Sequence, residues 1–511
     1  MDKGFAEQHG AAARRRWLPT APDLVFALVL FSVLAGGRSL LLNDPGTFWH
    51  VQLGRDIARN RAVPRFDAFT FTHAHTPWID QSWLFDLALA WVVDRGGWST
   101  AVLAASLLLA ALYAGVARGL IKEGRSPLVA LVVAVLASGI GATHFLVRPH
   151  LMTLVLVWVM LRVCSLQHER GGWWIAWAPP LTALWANLHG GFLAGPIVVF
   201  TAAVGHAISG RCDRARRLEI ARFIAAGVLC LAAALVNPYG FGLYHHVAGL
   251  LFSSGVTQLI QEYQPIPFGK GDARVVEWVI LGLIALPCFA SARMTRYEST
   301  HALVWLHLGL VSVRHAPLFA LAVAPGLARL LDGLLSPGGS ASGAPARTPW
   351  PFVLTAILGL GAALGVTYGR LDPAHWPISA LPALERMPAN ARLFHEQDWG
   401  GMIESECRPL RGTFIDDRFE LLDRQEVLRY LNAIEGGPDW DALRDRSAIG
   451  LVWVRPDRGL ARRLEAESGW QIRYRDRVSV LFEKIDTGAE DTSESRRASR
   501  TGHVADLTKS H

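Results

Sequence analysis

The chain has only five cysteines in 511 residues, and Cys164, Cys212, Cys230, Cys288 and Cys407 show no metal-ligand spacing. That excludes a cysteine-built zinc framework. Cys407 is the only one beyond residue 368, so the C-terminal part cannot rest on an internal disulfide. Charge is equally scarce, at 18% of residues against 51% hydrophobic. No Gly-rich phosphate loop or dinucleotide fingerprint occurs, so no nucleotide cofactor is expected. Basic and aromatic residues do not interleave into a groove, so the net charge of +7 does not imply a nucleic-acid partner. There is no internal repeat of fixed period. The middles of the apolar stretches hold little charge, which argues against a transporter with a midplane site.

What is abundant is apolar sequence, with 19 tryptophans. Stretches of span-like length recur, and crossing about 30 Å of hydrocarbon needs roughly 20 residues of helix. They fall at 22–42, 98–119, 127–147, 151–167, 172–188, 191–209, 219–236, 275–292, 300–314, 316–332 and 351–368. The expected fold class is an all-α polytopic membrane domain of about eleven transmembrane helices followed by a small α/β domain.

Lys and Arg set the orientation. The N-terminal segment 1–21 carries Arg14, Arg15 and Arg16, and every second loop is basic ("ARGLIKEGR", "LRVCSLQHER", "GRCDRARR", "SARMTR"). This places the N-terminus on the cytoplasmic side. Residues 43–97, "RPH", "NLHG", 237–274, "RHAP" and everything after 368 then lie outside. No small-residue cleavage site follows the first span, which is therefore read as a retained anchor. Residues 81–97 are short for a span and contain Asp86 and Asp94; counting them as a crossing would invert every later loop against the charge rule. They are expected to lie in the outer interface, as is 48–60, whose residues Phe48, Val51, Leu53, Ile57 and Ala58 follow one helical face.

The membrane part runs to residue 335. A Gly/Ser/Pro linker follows at 336–350, then the last span at 351–368. Between 372 and 485 strand-like runs ("GTFIDDR", "IGLVWVRP", "WQIRYRDR", "VSVLFEK") alternate with helical ones ("RQEVLRYLNAIEG", "RGLARRLEAES"), predicting an extracytoplasmic α/β domain. The polar tail 486–511 is expected to be disordered.

Polar groups at membrane depth are costly and tend to be paired or functional. Here they gather at the outer ends of spans, which predicts an outward-facing polar cavity. Asp44 is either a helix-end cap or a carboxylate under apolar cover, its pKa raised for general-base work. With Glu262 it is also a candidate ligand for a divalent metal, Mg or Mn. Arg148 with His150, and Arg314 with His315, are either snorkelling headgroup contacts or a grip for a lipid-borne phosphate. His50, Asp80, Asn187, His189, Asn237, Tyr239 and Glu262 are the candidate substrate-binding residues, with Asp80 equally suited to cap the following helix.

One acid after the first span, two interface helices in a large first outer loop and a trailing α/β domain resemble the GT-C glycosyltransferase superfamily. "HTPWIDQSWLFDLALAWVVDRGG" is similar to its bacterial members of the protein O-mannosyltransferase and aminoarabinose-transferase type. "DPGTFWHVQLGRDIARNRAVPRFDAFTFT", with "DWGG" and "FIDDR", looks like bacterial relatives of unassigned activity. The likeness covers about residues 20–335. It implies an inverting transfer of a sugar from a polyprenyl-phosphate carrier to a hydroxyl of a glycan, lipid or protein acceptor, among membrane lipids. The acid carried over is Asp44. Relatives have a second acid directly after it where this sequence has Pro45, which speaks against two-carboxylate versions of the mechanism. The competing classes are a transporter or flippase of a lipid-linked or small solute, and a non-catalytic envelope assembly protein.

Overall fold

The computed structural model describes residues 19–210, 213–252, 255, 258–269, 271–335, 371–407 and 412–485. The Arg14–Arg16 cluster, Cys212, the linker 336–350, the expected span 351–368 and the tail 486–511 lie outside the described residues. The chain divides into two compact units. The first holds residues up to 66 and 77–371, the second 67–76 and the residues from 372 onward.

The first unit is helical. Its helices are α1 (Ala21–Leu41), α2 (Gly46–Asn60), α3 (Trp83–Lys122), α4 (Pro127–Gly141), α5 (His150–Arg170), α6 (Ala178–Leu188), α7 (Ala194–Ile208), α8 (Arg214–Ala233), α9 (Phe241–Phe252), α10 (Arg274–Phe289), α11 (Arg296–Val311) and α12 (Ala316–Leu335). Among the described residues, five helical stretches are long and apolar enough to cross a membrane: Trp83–Lys122, Pro127–His144, His150–Arg170, Gly190–Ile208 and Val313–Leu335. Several other expected spans are shorter as helices. Within 172–188 a 3-10 turn at Trp174–Trp177 precedes α6, whose 11 residues rise only about 17 Å. Helices α10 and α11 have 16 residues each, about 24 Å.

The 40 residues of α3 are two helical segments joined at Gly97, whose φ of +68° suits a residue without Cβ. The break separates the expected interface segment 81–97 from the expected span 98–119. The interface helix expected at 48–60 is a helix, α2, and it is packed into the protein. Gly46 to Gly54 are buried on every face of α2, and only its last turns emerge, Ala58 with them. The reason is Gly54, where a Cβ would lie 2.0 Å from the Asp86 carbonyl oxygen, so α2 lies backbone-close against α3. Gly54→Ala is accordingly expected to destabilise this pair by about 1–3 kcal/mol. Thermal unfolding of the detergent-solubilised protein reads that loss, and an unchanged midpoint would contradict the close packing.

The second unit is a four-stranded sheet in the order β1-β2-β4-β3, with β1 (Arg392–His395), β2 (Ile449–Val454), β3 (Trp470–Arg475) and β4 (Val480–Lys484). β1 and β2 are parallel and the other neighbours antiparallel. Among the described residues five helices accompany it: α13 (Leu381–Glu385), α14 (Gly400–Glu406), α15 (Arg424–Ile434), α16 (Asp439–Arg446) and α17 (Gly459–Ala466). The core joins Phe394, Trp440, Val452, Leu460, Leu464 and Phe482. The "GTFIDDR" run is not a strand. Thr413 makes one isolated parallel bridge to Thr70, and the rest turns around buried Asp416 and Arg418. "DWGG" serves the fold too, since a Cβ on Gly400 would lie 2.5 Å from the Ile415 carbonyl oxygen.

On β1, His395 is buried; its Nδ1–H donates to the Glu396 carbonyl at 2.8 Å and Nε2 accepts from the Phe414 N–H at 3.1 Å. Burial holds the ring down to about 4. A depressed histidine contributes stability that is whole above its unfolded value of about 6.5 and is lost as pH falls towards 4. In the intact chain, His395→Gln should therefore flatten the fall in unfolding temperature over that interval; an unaltered slope would remove His395 as its source.

Candidate functional site

Asp44 lies in the turn between α1 and α2 and is 5% exposed. One carboxylate oxygen accepts from the Thr47 N–H at 3.0 Å and the Thr47 hydroxyl at 3.2 Å, capping the first turn of α2. The other accepts from Arg148 Nη1 at 3.1 Å. Asp44 is thus both a cap and one end of an ion pair. The partner loop is anchored by the Val147 N–H, which donates to the Leu41 carbonyl at 2.9 Å.

Arg148 Nη1 is also 3.6 Å from Glu262, whose other oxygen is 3.5 Å from Arg314 Nε. The Glu262 turn is fixed to the α11–α12 connection by Ser312 Oγ donating to the Glu262 carbonyl and by Val313 N donating to the Gln264 carbonyl, each at 2.9 Å. Arg314 stacks over Tyr263 at 4.7 Å. Four charges of alternating sign, Asp44, Arg148, Glu262 and Arg314, therefore meet from four separate inter-helix connections.

Burial raises the Asp44 carboxyl and the nearby Glu262 adds to it; Arg148 and the Thr47 hydrogen bonds oppose this without cancelling it. For Glu262 the balance reverses. Burial pushes it up, but Arg314 and Arg148, with His150 and His144, outweigh burial and hold it down at about 2. Near neutral pH Glu262 is fixed as an anion, whereas Asp44 is the carboxyl closer to exchanging a proton.

The histidines frame this cluster. His150 Nε2–H donates to the His144 carbonyl at 2.6 Å. His189 Nδ1 accepts from the Gly191 N–H at 3.1 Å and meets the Thr153 hydroxyl at 2.8 Å, so its proton sits on Nε2. His315 Nδ1–H donates to the Leu308 carbonyl at 3.1 Å. Other sequence candidates spend their polar atoms on the fold. Asn187 accepts from Trp83 Nε1 and donates to the Ala183 and Val236 carbonyls. Asn237 closes its own turn through Tyr239 N and the Ala234 carbonyl. The Tyr239 hydroxyl donates to the Pro64 carbonyl and accepts from the Asp80 N–H. Asp80 caps Ser82 at the start of α3.

His50 does not join the guanidinium cluster. Its Nδ1 lies 2.7 Å from Asp86, and both residues are buried. Asp86 also meets the Asp80 carboxyl. Asp86 escaped the list of sequence candidates. The signal was an acid inside the apolar run "LFDLALAWVV", a placement that requires a partner.

Asp44 and Glu262, the two candidate metal ligands, both face Arg148. The charge between them is the Arg148 guanidinium, and among the described residues no three His, Cys, Asp or Glu side chains converge as ligands. No family model matches this chain, and the curated proteins give no match.

Proposed function

We propose that this chain is an integral membrane glycosyltransferase of the GT-C kind, moving a sugar from a polyprenyl-phosphate carrier to an acceptor hydroxyl on the outer face. The observation that carries this reading is the Asp44–Arg148–Glu262–Arg314 chain, built from connections at one end of the helices. In the proposed reaction the bond from the anomeric carbon to the carrier phosphate breaks, and the bond to the acceptor oxygen forms on the opposite face. The acceptor proton passes to Asp44, and the polyprenyl phosphate leaves as an anion held by Arg148 and Arg314. Both guanidiniums face Glu262 only at 3.5–3.6 Å, beyond good hydrogen-bond length. A phosphate offers more oxygens for bidentate contact than that carboxylate does.

The second unit supports placing the first loop and the C-terminal domain on a common face. Residues 67–76, from the first outer loop, fold with 372–485. Both segments therefore belong on one face, and the chain between them must cross an even number of times. The ten spans read from residue 98 onward meet that condition; adding 81–97 as a crossing breaks it. In a Cys288→Ser background, His75→Cys and Gln425→Cys should both react with a membrane-impermeant maleimide from the periplasmic side. Labelling from opposite faces would refute the topology.

For the carrier, Arg148→Gln and Arg314→Gln are expected to weaken competition by a non-reactive polyprenyl phosphate at least tenfold. Wild-type competition in both variants would remove the phosphate assignment.

A further inference from the structure

A cavity of about 390 Å³ opens among Glu123, Arg125, Arg162, Tyr297, His301 and Arg329, with Trp158 and Pro325 in its wall. It lies at the other end of the helices. Arg125 precedes α4 while Arg148 follows it, and Tyr297 and His301 sit in the first turns of α11 while Arg314 follows that helix. Its size is that of a small-molecule site.

The charges in the wall are unequally committed. Arg162 pairs with Glu123, and Arg329 Nε bonds Glu298 at 2.9 and 3.0 Å. Among the described residues neither Lys122 nor Arg125 has a carboxylate at ion-pair distance, and Arg125 Nε is buried without a hydrogen-bond partner. His301 is only 2% exposed, yet both its ring nitrogens lack partners, as does the hydroxyl of buried Tyr297. Tyr297 is stacked on His168 at 4.5 Å, which fixes its ring in the wall. Buried polar atoms are almost always satisfied, so several orphans around one hollow mark what a bound molecule supplies. Lys122 and Arg125, the latter near Glu298, Asp332 and Glu123 but at ion-pair distance from none of them, suit a phosphate beside a phenol donor and an imidazole, and the indole and proline suit an apolar neighbour.

We infer that this cavity binds an organic phosphomonoester, its phosphate between Arg125, Lys122, Tyr297 and His301. Such a group reaches it either as a lipid headgroup or as a water-soluble metabolite. The inference does not depend on Asp44 being catalytic.

The test is calorimetric titration of the full chain in detergent with inorganic phosphate, glycerol 3-phosphate and dihexanoyl phosphatidate. Saturable binding of an organic phosphate, weakened at least tenfold in Arg125→Gln and His301→Phe, is the expected result. Preference for the phosphatidate assigns a lipid source, and preference for glycerol 3-phosphate a soluble one. Tyr297→Phe removes a single oxygen and serves if the histidine variant does not fold. No binding of any probe, binding of inorganic phosphate alone, or unchanged affinity in the variants overturns the inference.

Discussion

Asp44→Asn is expected to slow sugar transfer from a polyprenyl-phosphate donor by ~10²–10⁴-fold while the protein stays at wild-type abundance in the membrane. The side-chain carbonyl of Asn keeps an acceptor for Thr47, so the start of α2 survives. What disappears is the group that takes the acceptor's proton, a contribution of typically ~10²–10⁴-fold. The pH profile provides an independent reading. The Asp44 carboxyl is raised by burial, so the wild-type rate should climb with pH as it ionises. Glu262, held at about 2, is already ionised throughout and adds no limb there. Residual activity in Asp44→Asn should be flat over the same range. Full activity in the variant, or an identical acid limb, would end the proposal that Asp44 is the base.

The sequence made the long apolar helices legible because apolar runs act locally, residue by residue. Gly97 likewise broke the helix where the amphipathic segment met the apolar one. The meeting of Asp44 with Arg148, Glu262 and Arg314 was legible only as a shared depth. Which charges pair depends on how separate loops are tied together, as Val147 is to Leu41. Asn187, Asn237 and Tyr239 were legible as polar side chains at helix ends, but not their partners, which are the Trp83 indole, backbone N–H groups and backbone carbonyls, some distant in sequence and some local to a turn. The hydrophobic face of the helix at 48–60 was legible, but no periodicity reveals that Gly54, on that same face one turn from Val51 and Ala58, lies backbone-close against α3. Segment 67–76 was the least legible, because its partners lie more than 300 residues away.

Arg418→Met is expected to carry the second-largest effect, detaching segment 67–76 from the C-terminal unit. The Arg418 side chain is 1% exposed, with Nη2 donating to Asp67 at 2.7 Å and Nε to Asp416 at 2.9 Å. It also stacks over Phe69 at 5.0 Å. Asp67 in turn accepts from the backbone N–H groups of Phe69 and Thr70, fixing the loop. Glu404 stands nearby; burial first and then Asp416 raise its carboxyl well above the ordinary range, while Arg418 opposes this. Removing the cation leaves Asp67 and Asp416 buried without it. Breaking a buried pair in this way costs about 3–5 kcal/mol, against about 5–15 kcal/mol for a whole domain. In the intact chain, limited proteolysis should then cut within 67–76 and 412–418 where wild type resists. Arg418→Met combined with Asp67→Asn should recover part of that resistance, because one stranded charge is gone. If Arg418→Met resists protease as wild type does, this ion cluster does not hold the loop to the sheet domain.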